Sequence, residues 1–177
     1  MKGKIEVITG CMFAGKSTEL LKRLKKSNQN FLLIKPKIDT RYDKNDVITH
    51  SGEKLSALVV NSVSEISTKL KGVKLLGIDE AQFFNKTIVE DCKLIKKFGV
   101  RIIIAGLHKD YLNNKFDSVD ALIKIADTTT KLKAICNKCG HSATYSHRII
   151  NKKSQILLGH KDFYEPLCYK CYKKNVR

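Results

Sequence analysis

Two rhythms of apolar and polar positions run through the first three-quarters of the chain. Alternation at residues 5–9 and apolar-rich runs at 31–35, 57–60, 73–78 and 100–105 predict strands. Between them, apolar residues recur at three- and four-residue spacing and predict helices over 17–24, 64–70, 85–98 and 118–126. The punctuation agrees: Pro36 cuts the second run, Gly72 and Gly99 close helices, and Asn85 and Ser118 stand where N-caps are expected. Ile38-Asp39-Thr40-Arg41-Tyr42-Asp43 is polar and reads as a loop. Near-continuous apolar strands alternating with helices predict an α/β fold with a parallel sheet covered on both faces. From about Thr128 the rhythm gives way to short strand-like pieces in a basic stretch with few acids. This predicts a main domain at residues 1–132 and a small appendage at 133–177.

A length of 177 residues fits that division. No apolar run approaches bilayer-spanning length, and Lys2 and Lys4 lead straight into the first strand rather than into a signal-peptide core. A cytoplasmic protein with no membrane partner is therefore expected. Lys and Arg number 34 against 17 Asp and Glu, a formal charge of +17. That balance admits nucleic acid, nucleotides or other anions as partners, and equally a solvated lysine-rich surface.

Six cysteines in such a chain argue against a disulfide framework. Cys92 falls in a helical pattern as a small core residue, and Cys11 lies in a glycine-flanked loop open to oxidation. The other four form two pairs, Cys136-x-x-Cys139 and Cys168-x-x-Cys171, separated by 28 residues. Each pair makes a tight turn that aims two thiolates at one point, and two such turns complete a tetrahedral Zn²⁺ site. A closed four-thiolate site is structural and supplies stability that the appendage's few apolar residues cannot. The other reading is two thiol pairs without metal. His141 and His160 are near enough in sequence to compete, but four cysteines leave no vacancy.

The segment Gly10-Cys11-Met12-Phe13-Ala14-Gly15-Lys16-Ser17-Thr18 fits the phosphate-binding P-loop, G-x-x-x-x-G-K-[ST]. A predicted strand precedes it and a predicted helix follows, so backbone N–H groups and a helix N-terminus face one phosphate. Lys16 adds a point charge, and Ser17 offers a hydroxyl to the Mg²⁺ that accompanies ATP. Downstream, the strand over 73–78 ends in Asp79-Glu80. An acid at such a strand end reaches the metal, and its neighbour can serve as a base; a solvent-facing loop acid is the alternative for Glu80. Arg41 suits charge on a transferred phosphoryl group, or simply solvent. Phe83, Phe84, Tyr111 and Phe116 suit an aromatic pocket, or core. Gln155-Ile156-Leu157-Leu158-Gly159, anchored on both sides by the cysteine pairs and followed by Tyr164, suits a lid over a flat ligand.

Three functions fit these features. One is a small-molecule kinase with Glu80 as base and a zinc-pinned lid. The second is a nucleic-acid-dependent ATPase with a zinc ribbon, favoured by the charge and by the helicase-like Asp79-Glu80-Ala81-Gln82. A motor needs two cores or a ring plus a strand-binding surface, and the sequence carries one core and no aromatic-basic cluster. The third is a zinc-stabilised nucleotide-binding regulator without turnover.

The chain resembles the type II thymidine kinases, the cellular, bacterial and poxviral group, nearly end to end. The resemblance rests on the P-loop segment, Asp39-Thr40-Arg41-Tyr42, His50-Ser51-Gly52, Gly77-Ile78-Asp79-Glu80-Ala81-Gln82-Phe83-Phe84, the four cysteines and the 155–159 strand before Tyr164. It implies a P-loop (RecA-like) fold with a zinc-ribbon-like lasso, and ATP-dependent phosphorylation of the thymidine 5′-hydroxyl. It also implies Mg²⁺, one structural zinc, a homotetramer and feedback by thymidine triphosphate (dTTP); no direct nucleic-acid partner is expected. Glu80 takes the place of the catalytic glutamate, with Lys16 and Arg41 on the phosphates. Asp79, Glu80, Ala81 and Gln82 form the nucleotide motif. The lasso falls on Gln155, Ile156, Leu157, Leu158 and Gly159 with Tyr164, and the base pocket on Phe83, Tyr111 and Phe116, with Met12 and Leu107 as apolar neighbours. The sequence departs from the family pattern at Cys11, His108, Tyr111 and His160.

Overall fold

A computed structural model describes residues 3–38, 46–48, 52, 54–150 and 163–175. The main body runs β1 (Lys4–Thr9), α1 (Lys16–Lys26), β2 (Phe31–Pro36), β3 (Asp46–Ile48), β4 (Lys54–Ser56), β5 (Leu58–Val60), β6 (Leu75–Ile78), α2 (Ile88–Lys97), β7 (Arg101–Gly106), α3 (Asp117–Ile125) and β8 (Thr128–Lys131). Six strands form one sheet in the order β5-β2-β6-β7-β1-β8, and every pairing in it is parallel. Strands β3 and β4 pair antiparallel with each other.

Alternation along the strands splits the core in two. Ile5, Val7, Ile34, Leu76, Ile78, Ile102 and Ile104 pack with residues of α2, α3 and a 3-10 helix (Val63–Lys69) on one face. Ile8, Leu33, Leu75, Ile103 and Ala105 meet Leu20, Leu21 and Leu24 of α1, with Val47 beside them, on the other. Each of those leucines is fully buried, which stabilises by about 1.5–3 kcal/mol per side chain. The predicted two-faced parallel sheet is therefore present.

Three local expectations change. The helix predicted over 64–70 is the 3-10 helix, opened by a capping box in which Ser62 accepts from Ser64 N and Glu65 reaches back to Ser62 N. A Val, Ser and Thr-rich segment with one strong cap and little helix propensity makes a tight turn rather than an α-helix. Asn85 is not the cap of α2: its Oδ1 accepts from the Thr87 amide at 3.0 Å in a turn before the helix, and Thr87 holds the N-cap position. Ser118 is not a cap either. It lies inside the first turn of α3, and its hydroxyl donates to Ala81 O at 3.2 Å, while Phe116 holds the N-cap position.

Beyond β8 come β9 (Ala134–Ile135) and β10 (Ser142–Ala143), paired antiparallel, then β11 (Tyr145–Arg148) and β12 (Tyr164–Leu167), also antiparallel, and α4 (Tyr169–Asn175). Cys136, Ala143, Leu167 and Tyr172 make a small core there, with Tyr145 stacked on Tyr172 at 4.5 Å between ring centroids. No helix among the described residues is long and apolar enough to cross a membrane.

Candidate functional site

The site grows from the C-terminal ends of β1, β6 and β7. Strand β7 separates the other two, so the loop after β1 and the acids after β6 stand about 10 Å apart across the sheet. The first turn of α1 spans that gap: Ser17 Oγ donates to Asp79 Oδ1 at 3.1 Å. The sequence-predicted P-loop serine and strand-end acid are thus brought together.

Two glycines fit the loop to this place. A Cβ on Gly10 would lie 2.6 Å from the Leu132 carbonyl oxygen, and Gly15 takes a left-handed φ of 79° at the N-cap of α1. Phe13 adopts φ 65° without being glycine. Lys16 Nζ donates to Cys11 O at 2.9 Å, folding the lysine across the mouth of its own loop. The Cys11 thiol is buried and donates to Ala143 O at 3.5 Å. Burial pushes its pKa up, with Lys16 acting the other way. A buried, protonated thiol resists oxidation, contrary to the expectation for this loop.

Asp79 is buried at the end of β6, and Glu80 follows it in a left-handed conformation, φ 50° and ψ 43°. Gln82 donates its amide to Glu80 Oε2 and accepts from Leu107 N at 2.9 Å through its own carbonyl. One buried amide therefore ties the acid after β6 to the end of β7. Phe83 and Leu107 are half-buried nearby, whereas Phe84 is core. Phe116, 9% exposed, packs in the same core and donates its amide to His108 O at 2.9 Å. His108 turns to α3, its Nε2 3.1 Å from Asp120 Oδ1, where Lys115 and Lys124 also converge at 2.9 Å.

The segment after β8 reaches this site at several points. Met12 N donates to Ser146 Oγ at 3.0 Å, and Tyr172 OH donates to Tyr111 O at 2.6 Å. Arg148 lies 3.7 Å over the Tyr111 ring and donates to the Tyr164 hydroxyl. Tyr164 itself is buried in β12. Ser146, Arg148 and Tyr172 were missed from the sequence. Alternation in Tyr145-Ser146-His147-Arg148 was the available signal, because it puts Ser146 and Arg148 on one buried face. Arg41, the 155–159 strand, His50, Ser51 and His160 lie outside the described residues.

The Sγ atoms of Cys136, Cys139, Cys168 and Cys171 lie within 4.8 Å of one another, and Cys139 Sγ is 3.6 Å from Cys168 Sγ. A tetrahedral zinc with bonds of about 2.3 Å spaces its sulfurs by about 3.8 Å, so the cluster fits a structural zinc. Gly140, at φ 74°, turns the chain after Cys139, and its amide donates to Cys136 O at 2.9 Å. His141 points its Nδ1 at Cys139 O, 3.1 Å away, and stands outside the cluster.

A family model described as thymidine kinase matches residues 3–172. The thymidine kinase of Bacteroides fragilis is 42% identical over 179 residues, covering 99% of this chain and 90% of that protein. That of Porphyromonas gingivalis is 41% identical, covering 98% and 86%, and that of Mesoplasma florum 41% identical, covering 96% and 91%. Among solved structures, the Legionella pneumophila ATPase DotB overlaps 70% of this chain and 34% of that one at 15% identity, with a TM-score of 0.43, a loose likeness only.

Proposed function

The chain belongs to the thymidine kinase family, and from that membership we propose that it transfers the γ-phosphoryl group of ATP to the 5′-hydroxyl of thymidine. The observation that carries the reading to particular residues is the Glu80–Gln82–Leu107 bridge beside the Ser17–Asp79 contact. It holds the carboxylate that follows Asp79, the acid that meets the P-loop serine, on a left-handed backbone that a non-glycine residue keeps when its surroundings hold it there.

In this reading Glu80 accepts the proton of the 5′-hydroxyl as the phosphoryl group moves in line. The P-loop amides and Lys16 hold the phosphates, and Arg41 adds charge from outside the described residues. Ser17 and Asp79 offer the hard oxygen donors that suit Mg²⁺, which would neutralise phosphate charge there. Met12, Phe83, Leu107, Tyr111, Phe116 and Tyr164 surround the base, and residues 155–159, outside the described residues, are assigned to the same substrate by the family resemblance. The division at 132/133 puts the P-loop core on one side and the cysteine-bearing segment on the other. The reading extends to a homotetramer, to feedback by dTTP and to a cytoplasmic setting.

Replacing Glu80 tests the assignment. Glu80→Gln lowers turnover by roughly two or more powers of ten while thymidine binding survives. Near-normal turnover in that variant removes Glu80 as the base. The screen runs ATP with nucleosides and, in parallel, with single-stranded DNA. DNA-stimulated ATP hydrolysis without nucleoside phosphorylation overturns the kinase reading itself.

A further inference from the structure

We propose that Arg148 is a positioning residue for the nucleoside: from the zinc-held segment it sets the rings of both Tyr111 and Tyr164. The proposal rests on the thymidine kinase reading and concerns how its base pocket is held.

Arg148 is 6% exposed, a long cation taken almost wholly out of water. It sits opposite Tyr164 in the β11–β12 register. Its Nε and Nη2 both donate to the Tyr164 hydroxyl, at 3.1 and 2.6 Å. The guanidinium carbon also lies 3.7 Å from the centroid of the Tyr111 ring and 5.1 Å from that of Tyr164. At 3.7 Å a planar guanidinium is in van der Waals contact with the ring, the favourable arrangement for a cation over a π face.

The two tyrosines come from different parts of the chain. Tyr111 follows β7 in the main body, and Tyr164 belongs to β12 beside the cysteine cluster. Arg148 touches both, and its fork of fixed N–H donors determines direction as well as distance. The Tyr111 backbone is held from the same side, by Tyr172 OH on its carbonyl. The guanidinium so placed fixes the tilt of the Tyr111 ring, which the proposed function sets against the base. Stacking of a base depends on the tilt of that ring, so the residue that fixes the tilt acts on nucleoside affinity without touching the phosphates.

The test uses the zinc-loaded full chain in steady-state assays with thymidine and ATP varied separately. In Arg148→Met the KM for thymidine rises about tenfold, the scale set by losing hydrogen bonds to a charged donor. The KM for ATP stays within about twofold, and kcat falls less than the thymidine KM rises. Arg148→Lys keeps the cation and loses the fork, and it falls between wild type and Arg148→Met. A thymidine KM within twofold of wild type in Arg148→Met, or an ATP KM rising in the same proportion, overturns the proposal. If Arg148→Met does not fold, Tyr164→Phe and Arg148→Lys decide by a double-mutant cycle on thymidine binding. Coupled effects sustain the proposal and additive ones overturn it. A wild-type chain with no thymidine-dependent turnover defeats the functional reading and this inference with it. Wild-type turnover with an unmoved KM in the variants defeats the inference alone.

Discussion

Two glycines in the central sheet separate packing that can yield from packing that cannot. Gly106 ends β7, and a Cβ there would lie 3.0 Å from Val119 Cγ2, 3.1 Å from Ala81 Cβ and 3.4 Å from Gln82 Oε1. Ala81 Cβ moves only with its backbone, and Val119 is β-branched and fully buried. Gln82 Oε1 already accepts from Leu107 N. Gly77 on β6 meets the ends of flexible side chains instead, Leu24 Cδ1 at 2.8 Å and Leu33 Cδ1 at 3.0 Å. Alanine gains about 0.5–1 kcal/mol at either position by restricting the unfolded chain. Against this, overpacking a rigid site costs about 1–3 kcal/mol. Gly106→Ala therefore loses roughly 1–2 kcal/mol net, which lowers Tm by about 2–8 °C for a chain of this size. Gly77→Ala loses about 1 kcal/mol or less, because leucine rotamers can give way. The two differ more in activity. A methyl at 106 presses on the amide that holds Glu80, so Gly106→Ala loses turnover as well as stability, whereas Gly77→Ala keeps turnover. Thermal and urea unfolding followed by circular dichroism, beside a coupled thymidine assay, measure both. A Gly106→Ala protein with wild-type Tm and turnover, or a Gly77→Ala protein that suffers more, refutes the reasoning.

Metal analysis of purified protein gives about one zinc per chain; chelation loses the near-ultraviolet signal of the Tyr145–Tyr172 stack while the sheet's far-ultraviolet signal persists, and an unchanged near-ultraviolet spectrum after strict zinc removal counts against the site. Glu6 gives a pH signature. Burial works to raise its pKa, but Arg101, Lys4 and Arg23 together hold it below its ordinary 4.5. A depressed carboxylate contributes stability that is complete above its unfolded pKa and drains as pH falls through the folded one. The stability gap between wild type and Glu6→Gln is therefore full near neutrality and narrows below about pH 4.5; a gap independent of pH contradicts the assignment.

Much of the main body was legible because its signals are local. The run 100–105 is apolar after Arg101, as a strand buried on both faces requires, and Arg101–Gly106 occupies the middle of the sheet. The Ser17–Asp79 meeting was legible because P-loop and strand-end acid each carry a local pattern and the fold closes the distance. The misplaced caps failed for a physical reason. Asn85 and Ser118 are good capping residues whose side chains found other partners, the Thr87 amide and the Ala81 carbonyl, and a sequence does not display that competition. Arg148 was hidden by a different route. A lone arginine in a basic stretch looks solvated, and only the pairing of β11 with β12, joined through 15 intervening residues, puts it against Tyr164.

The contacts of the zinc-held segment give it more than a stabilising role. A segment that only needed to fold would satisfy itself with its small core around Leu167 and Tyr172. Instead Ser146 takes the amide of Met12 and the Ala143 carbonyl takes the thiol of Cys11, both within the phosphate loop. Tyr172 and Arg148 take hold of Tyr111, on the side assigned to the base. The phosphate side and the base side belong to separate loops of the main body, after β1 and after β7, and their relative placement decides whether an attacking hydroxyl lies in line with a phosphoryl group. A misplacement of 1 Å in such a geometry costs on the order of a hundredfold in rate. One rigid segment bonded to both loops reduces that freedom, and a metal is an efficient way to make a short segment rigid. On the proposed function, a metal on the four thiolates would act on catalysis at a distance, through Ser146 on one side and Arg148 on the other.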